Sequence, residues 1–138
     1  MSSAINVTVA DRAGRKTAST GSKWEPILGY SRAVRSGNLI AVTGTVGVNA
    51  DGTYSPSLAD QTRRSLAIIQ AAIEALGGRI DQVIRTRMYV TDVSKWEEVA
   101  RVHGEIFSAI RPATTIVEVP RLIDKDAQIE IEADAVVA

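Results

Sequence analysis

The sequence predicts an α+β domain, a single mixed β-sheet with two helices on one face in the order ββαβαββ. Three observations carry this. Two stretches repeat apolar residues at helical spacing, five others alternate apolar with polar residues or are rich in β-branched side chains, and 138 residues leave room for one domain only. Residues 1–23, rich in Ser, Ala, Thr and Gly, read as an N-terminal arm in which Ile5, Val7 and Val9 alternate as a short edge strand. Residues 24–138 form the domain proper.

The first two strands are SRAVR and LIAVTG, joined at Ser36, Gly37 and Asn38, residues that tolerate positive φ and so close a hairpin. Gly44, Gly47, Asn49, Asp51 and Gly52 then make a loop. Ser57 with Asp60 three residues on starts a helix whose apolar stripe runs through Leu58, Thr62, Leu66, Ile69, Ile73 and Leu76, and Gly77-Gly78 stops it. The third strand, 83–90, places Arg85, Arg87 and Tyr89 on one face and Ile84, Thr86, Met88 and Val90 on the other. Ser94-Lys95-Trp96-Glu97 reads as a capping box for a second helix with a core stripe of Trp96, Val99, His103, Ile106, Phe107 and Ile110, ended by Pro112. Strands over 114–119 and 128–137 close the chain, the latter alternating Ile129, Ile131, Ala133 and Ala135 with Glu130, Glu132 and Asp134. Arginines on one strand and carboxylates on another mark the helix-free face for ion pairs or for contact with another subunit.

Sixteen basic and sixteen acidic side chains cancel, aromatic residues are 4% and no basic stripe appears, so nucleic acid is not the expected partner. The absence of cysteine and a single histidine, His103, exclude thiolate chemistry, Cys-based zinc and multi-His metal sites, and no cofactor motif is present. Gly44 to Gly47 lacks the Lys-Ser/Thr pair of a phosphate loop. The N-terminal MSSAINVTVADRAGRK has no charged n-region followed by an apolar stretch, and no run suits a membrane span, so a cytoplasmic protein without membrane association is expected.

YSRAVRSGNLIAVTG (30–44), RMYVTD (87–92), PATTIVEV (112–119) and IEIEA (129–133) resemble the Rid/YjgF family, the reactive intermediate deaminases, from about Tyr30 to the C-terminus. The resemblance implies a chorismate-mutase-like fold, a homotrimer with small-molecule pockets at its subunit interfaces, and hydrolysis of enamines and imines such as 2-aminoacrylate to the keto acid and ammonia. By the same resemblance Glu130 matches the glutamate that positions the hydrolytic water, a role a carboxylate performs by accepting a proton. Tyr30 matches a family tyrosine, Thr43 stands where serine is common, and Ala100 where asparagine is. Thr114 departs from the pattern, replacing the arginine that grips the substrate carboxylate in a two-point salt bridge, which a hydroxyl does not reproduce. This puts ordinary 2-aminoacrylate deamination in doubt and places the chain with the members lacking that arginine.

Each candidate has a plainer alternative. Glu130 is catalytic or is satisfied by Arg85 or Arg87 across the sheet. Arg87, beside Tyr89, is a replacement anion anchor or a structural ion pair. Trp24 is a pocket lid or a hydrophobic anchor, and His103 reads as a core or interface histidine before a proton shuttle. Three functions compete: a trimeric catalyst of enamine, imine or related carbonyl chemistry with Glu130 as proton acceptor and Tyr30, Thr43, Arg87, Tyr89, Thr114 and Trp24 around the substrate; a non-catalytic binder of the same shape; and RNA binding or cleavage, which the charge balance disfavours. The retained carboxylate and hydroxyls tilt the reading toward the enzyme.

Overall fold

The computed structural model describes residues 4–138; the first three residues of the expected arm lie outside the described residues. Strands β1 (Thr8–Arg12), β2 (Arg15–Ser19), β3 (Ala33–Ser36), β4 (Leu39–Val46), β5 (Val83–Val90), β6 (Ala113–Glu118) and β7 (Ile129–Val136) form one sheet in the order β1-β2-β3-β4-β7-β5-β6. All neighbours are antiparallel except β5 and β6, so the sheet is mixed. Helix α1 (Trp24–Leu28) is a single turn, and the long helices α2 (Leu58–Ala75) and α3 (Trp96–Phe107) cover one face. From β3 onward the order of strands and long helices is the expected ββαβαββ. No described helix is long and apolar enough to cross a membrane.

The core lies between the helices and the inward positions of the sheet. Ile40 and Val42 on β4, Met88 and Val90 on β5, and Ile129, Ile131 and Ala133 on β7 meet Leu66, Ile69 and Ile73 of α2 and Val99, Val102 and Phe107 of α3. Period-2 alternation thus works as read, burying one set of β7 side chains and leaving Glu130, Glu132 and Asp134 on the far face. Ser57 caps α2 by accepting from the Asp60 amide at 3.2 Å.

Several expectations need correction. Half of residues 4–23 is sheet, because β1 and β2 pair through a tight turn with Ala13 and Gly14 both at positive φ, and β2 pairs with β3; of the expected strand residues Val9 lies in β1, whereas Ile5 and Val7 precede it. Ile84 does not face the helices: a bulge between Val83 and Arg85 displaces it, and it is 52% exposed. The second long helix is not opened by Ser94. Asp92 Oδ1 instead accepts from the Ser94 amide and hydroxyl, capping a 3₁₀ turn over Val93–Lys95 that precedes α3. Trp96 then sits at the first helical position, before the face that turns inward at Val99, and is 53% exposed instead of core.

Candidate functional site

A second bulge builds the site. Between Val42 and Thr45 the β4 register against β7 shifts, so Thr43 and Gly44 together oppose Glu132, and beyond them Val46 pairs with Glu130. Gly44 has no side chain to keep β7 away, and its missing Cβ would stand 2.8 Å from the Glu130 carboxyl carbon. The Glu130 carboxylate therefore lies against the bulge, at the edge of a cleft of about 810 Å³ that also contains Trp24, Tyr30, Arg32, Thr43 and Tyr54.

Each wall has a local cause. Glu25 is buried, and its Oε2 accepts from the Thr20 and Ser22 amides at 3.2 Å each, tying down the turn that carries Trp24 in the cleft wall. Gly29 at φ 76° ends α1 and turns the chain toward Tyr30. On the opposite side the Tyr54 hydroxyl donates to Asp124 Oδ2 at 2.6 Å, and partial burial, then this carboxylate, push the phenol well above its ordinary range. The Gln61 side chain, fully buried on α2, donates to the carbonyls of Ser55 and Asp126 and accepts from the Gln128 amide, fixing both ends of this wall.

Glu130 makes no hydrogen bond or ion pair among the described residues. Burial raises its pKa above the ordinary carboxylate value, the neighbouring Glu132 raises it further, and Arg32 partly offsets both. Of the two expected counter-ions, Arg85 and Arg87, neither pairs with Glu130, and Arg87 is engaged elsewhere: its Nη1 bonds to Glu132 and Asp134 at 3.2 Å each. Arg87 thus stands in an ion-pair triad on the open sheet face and does not line the cleft. Tyr89, directly across from Glu130, lies on that face too, its hydroxyl pushed up by partial burial and then by Glu132.

The structure separates the other candidates as well. Trp24, Tyr30, Thr43 and Glu130 come together in the cleft. The Thr43 hydroxyl donates to the Ser31 carbonyl at 2.7 Å, so toward a ligand it is an acceptor. Thr114 is on the β6 edge, with its hydroxyl bonded to the Thr86 hydroxyl and 3.2 Å from the Thr86 carbonyl. It belongs to the helix side of the sheet, where His103 Nε2 meets Thr86 Oγ1 at 2.9 Å and the His103 ring lies 4.5 Å from that of Phe107. Burial holds the imidazole pKa below its ordinary value, consistent with a neutral core histidine. Among the described residues no group of three or more potential ligands is placed to hold a metal.

Arg32, like Tyr54, is a cleft residue that the sequence does not signal. It is only 6% exposed, and Ala33 beside it is buried too, which breaks the alternation that would have placed the arginine outside.

This arrangement has close relatives. A family profile described as Endoribonuclease L-PSP matches residues 20–137. The chain is 35% identical over 125 residues to an Escherichia coli 2-iminobutanoate/2-iminopropanoate deaminase, covering 88% of this chain and 97% of the relative. Among solved structures, Rv2704 of Mycobacterium tuberculosis, described as a member of the YjgF/YER057c/UK114 family, superposes with a TM-score of 0.83 at 46% identity, covering 89% of this chain and 99% of that one. Escherichia coli TdcF with bound serine follows at 0.74 and 28%, covering 79% and 88%. With a whole-domain profile match, these identities and a shared fold, the chain belongs to the Rid/YjgF family.

Proposed function

We propose that the cleft hydrolyses a small imine or enamine, with Glu130 as the proton acceptor for the attacking water. The observation that carries this is the state of Glu130: a half-buried carboxylate with a raised pKa, unpaired among the described residues and facing a cleft, while Glu132 and Asp134 on the same strand are tied to Arg87. In the proposed reaction a water oxygen bonds to the C=N carbon, the π pair moves to nitrogen, and Glu130 takes the water proton. Returned to nitrogen, that proton gives the carbinolamine; Glu130 then takes the carbinol hydroxyl proton and passes it to nitrogen, so that the oxygen pair forms C=O as the C–N bond breaks, releasing ammonia and leaving the carbonyl compound. Tyr30 and the acceptor oxygen of Thr43 orient the substrate, and Trp24 with Leu28 screens it from water.

The deaminase name of the Escherichia coli relative and the serine bound to TdcF support a small amino-acid-derived substrate. The neutral charge and the mixed acidic and basic rim give RNA cleavage no comparable support. The active form in this reading is a homotrimer. Light scattering is expected to give three times the 14.8 kDa chain mass, and a monomer at micromolar concentration refutes it.

The test of the chemistry is Glu130→Gln against Glu132→Gln, with imines generated by an amino-acid oxidase and trapped with semicarbazide. Glu130→Gln is expected to lower the rate by about 10²-fold or more with assembly intact, and Glu132→Gln by much less. Full activity in Glu130→Gln, or equal losses with dissociation, would assign these acids to assembly instead.

A further inference from the structure

Arg32 is a buried cation without a counter-ion. Its side chain forms no ion pair among the described residues, and its hydrogen-bond partners are neutral: Thr20 Oγ1 on Nε at 3.2 Å, the Gly44 carbonyl and Thr45 Oγ1 on Nη1 at 2.9 and 3.2 Å, and the Tyr30 hydroxyl on Nη2 at 3.4 Å. A guanidinium has five N–H donors, and these four bonds leave one on Nη2 without a described partner, with the Tyr30 contact already long. Burying such a charge is unfavourable unless something negative faces it.

Glu130 is the negative group within reach, yet it does not form that pair. The two residues meet at Gly44 from different sides: Arg32 holds the Gly44 carbonyl, and the Glu130 carboxyl lies against the Gly44 Cα. They are near enough for Arg32 to offset part of the upward shift of Glu130, and they are held apart by the bulge. This leaves cation and carboxylate side by side at the cleft, both available to a third group.

We propose that Arg32, with the Tyr30 hydroxyl, grips the anionic end of a ligand in the cleft, and that this end is a single carboxylate. The proposal rests on the hydrolytic reading above for the neighbouring group that Glu130 serves. One open Nη2–H and one phenol hydroxyl make two donors, which suit the two oxygens of a carboxylate. A dianion such as a phosphate would bring a second negative charge beside Glu130, which burial already disfavours in its charged form. A ligand so held places the atom next to its carboxylate toward Glu130, the position of the C=N carbon in a 2-imino acid. Arg32 thereby fills the role that Thr114 has lost, from the bend that precedes β3.

The test compares 2-oxobutanoate with its neutral amide, 2-oxobutanamide, by calorimetric or NMR titration of the wild type, Arg32→Lys and Glu130→Gln. The wild type is expected to bind the acid at least 10-fold more tightly than the amide, the scale of one charge-assisted hydrogen bond. Arg32→Lys keeps the charge but not the fork, and is expected to weaken the acid several-fold while leaving the amide unchanged. Glu130→Gln retains acid binding. Equal affinity for acid and amide in the wild type, or binding of neither, overturns the proposal whether or not any variant folds. Parallel loss of both ligands in Arg32→Lys with a lowered melting temperature makes Arg32 a staple of the bulge and overturns it too. Failure here with a retained rate loss in Glu130→Gln leaves the hydrolytic reading standing, whereas carboxylate-selective binding with a fully active Glu130→Gln removes that reading and keeps this one.

Discussion

Replacing Gly44 with alanine tests the site through its most crowded contact. The added methyl would lie 2.8 Å from both the carboxyl carbon and Oε2 of Glu130, roughly 0.6 Å inside the 3.4 Å at which ordinary contact begins. Gly44 does not adopt a positive φ, so alanine is not strained by its backbone. The group that must move is the end of a flexible side chain. Restricting the unfolded chain favours the variant by about 0.4–1 kcal/mol, and an off-rotamer Glu130 opposes it by about 0.5–1.5 kcal/mol. The two nearly cancel, so the melting temperature is expected to shift by about 4 °C or less. Activity follows a steeper rule, since a misplacement of about 1 Å costs up to about 10²-fold. A shift somewhat smaller than that is expected to lower turnover by about 10-fold or more. The assay is the semicarbazide-coupled imine hydrolysis, read beside a thermal melt. Wild-type turnover in Gly44→Ala would show that the position of the Glu130 carboxyl does not matter to the reaction. A collapse in melting temperature would show that the carboxyl has nowhere to retreat, and either result refutes the reasoning.

Three further outcomes are expected. With its folded pKa raised, Glu130 binds a proton more tightly in the native than in the unfolded state, so the wild type loses stability as pH rises from the ordinary value of 4.5 through the raised one. Glu130→Gln removes that loss, and denaturant melts should show it more stable than wild type at pH 7 with the gap closing below pH 4.5; a pH-independent gap contradicts the assignment. Thr86→Val deprives His103 Nε2 of its hydroxyl partner and should cost about 1–3 kcal/mol in urea unfolding, and an unchanged midpoint would mean the imidazole is satisfied otherwise. Gly47→Ala would put a methyl 2.2 Å from the Gln61 backbone carbonyl oxygen, where no side chain can yield, and should cost about 3 kcal/mol or prevent folding; a mild effect would mean that α2 slides easily on β4.

The elements legible in the sequence are those whose pattern is uninterrupted. The α2 stripe, its Ser57 cap and the alternation of β7 are all present in the fold, because burial there follows the local period. Glu130 is a candidate partly from that alternation and chiefly from the family resemblance. The failures sit where a single residue breaks the period. The bulge at Thr43-Gly44 reverses the facing of the β4 residues beyond it, and the bulge at Ile84 turns that one residue out while Arg85 to Val90 keep the expected alternation; a bulge is decided by the partner strand, which local pattern does not contain. Arg32 is buried because three acceptors distant in sequence, on Thr20, Gly44 and Thr45, converge on it, a tertiary fact with no local signature. The β1–β2 hairpin is hidden by a turn of Ala13-Gly14 and by strands carrying Thr, Lys and Arg instead of apolar alternation. Arg87 has two available meanings on one face, and only the geometry shows the guanidinium on Glu132 and Asp134.

The buried Gln61 amide divides the cleft wall into a part that can vary and a part that cannot. By holding Ser55, Asp126 and the start of β7 from one side chain, it fixes the two points between which the wall is strung. Asparagine is a methylene too short for this span, and glutamate lacks the donors. The stretch from Pro120 to Lys125 is mostly exposed and is pinned near its end by the Tyr54 latch, so its length and composition can change without transmitting strain to Glu130. Selectivity in this architecture can therefore be exchanged as a cassette: transplanting that stretch between relatives, with Gln61 retained, would re-shape the ligand's surroundings while the proton acceptor stays in register.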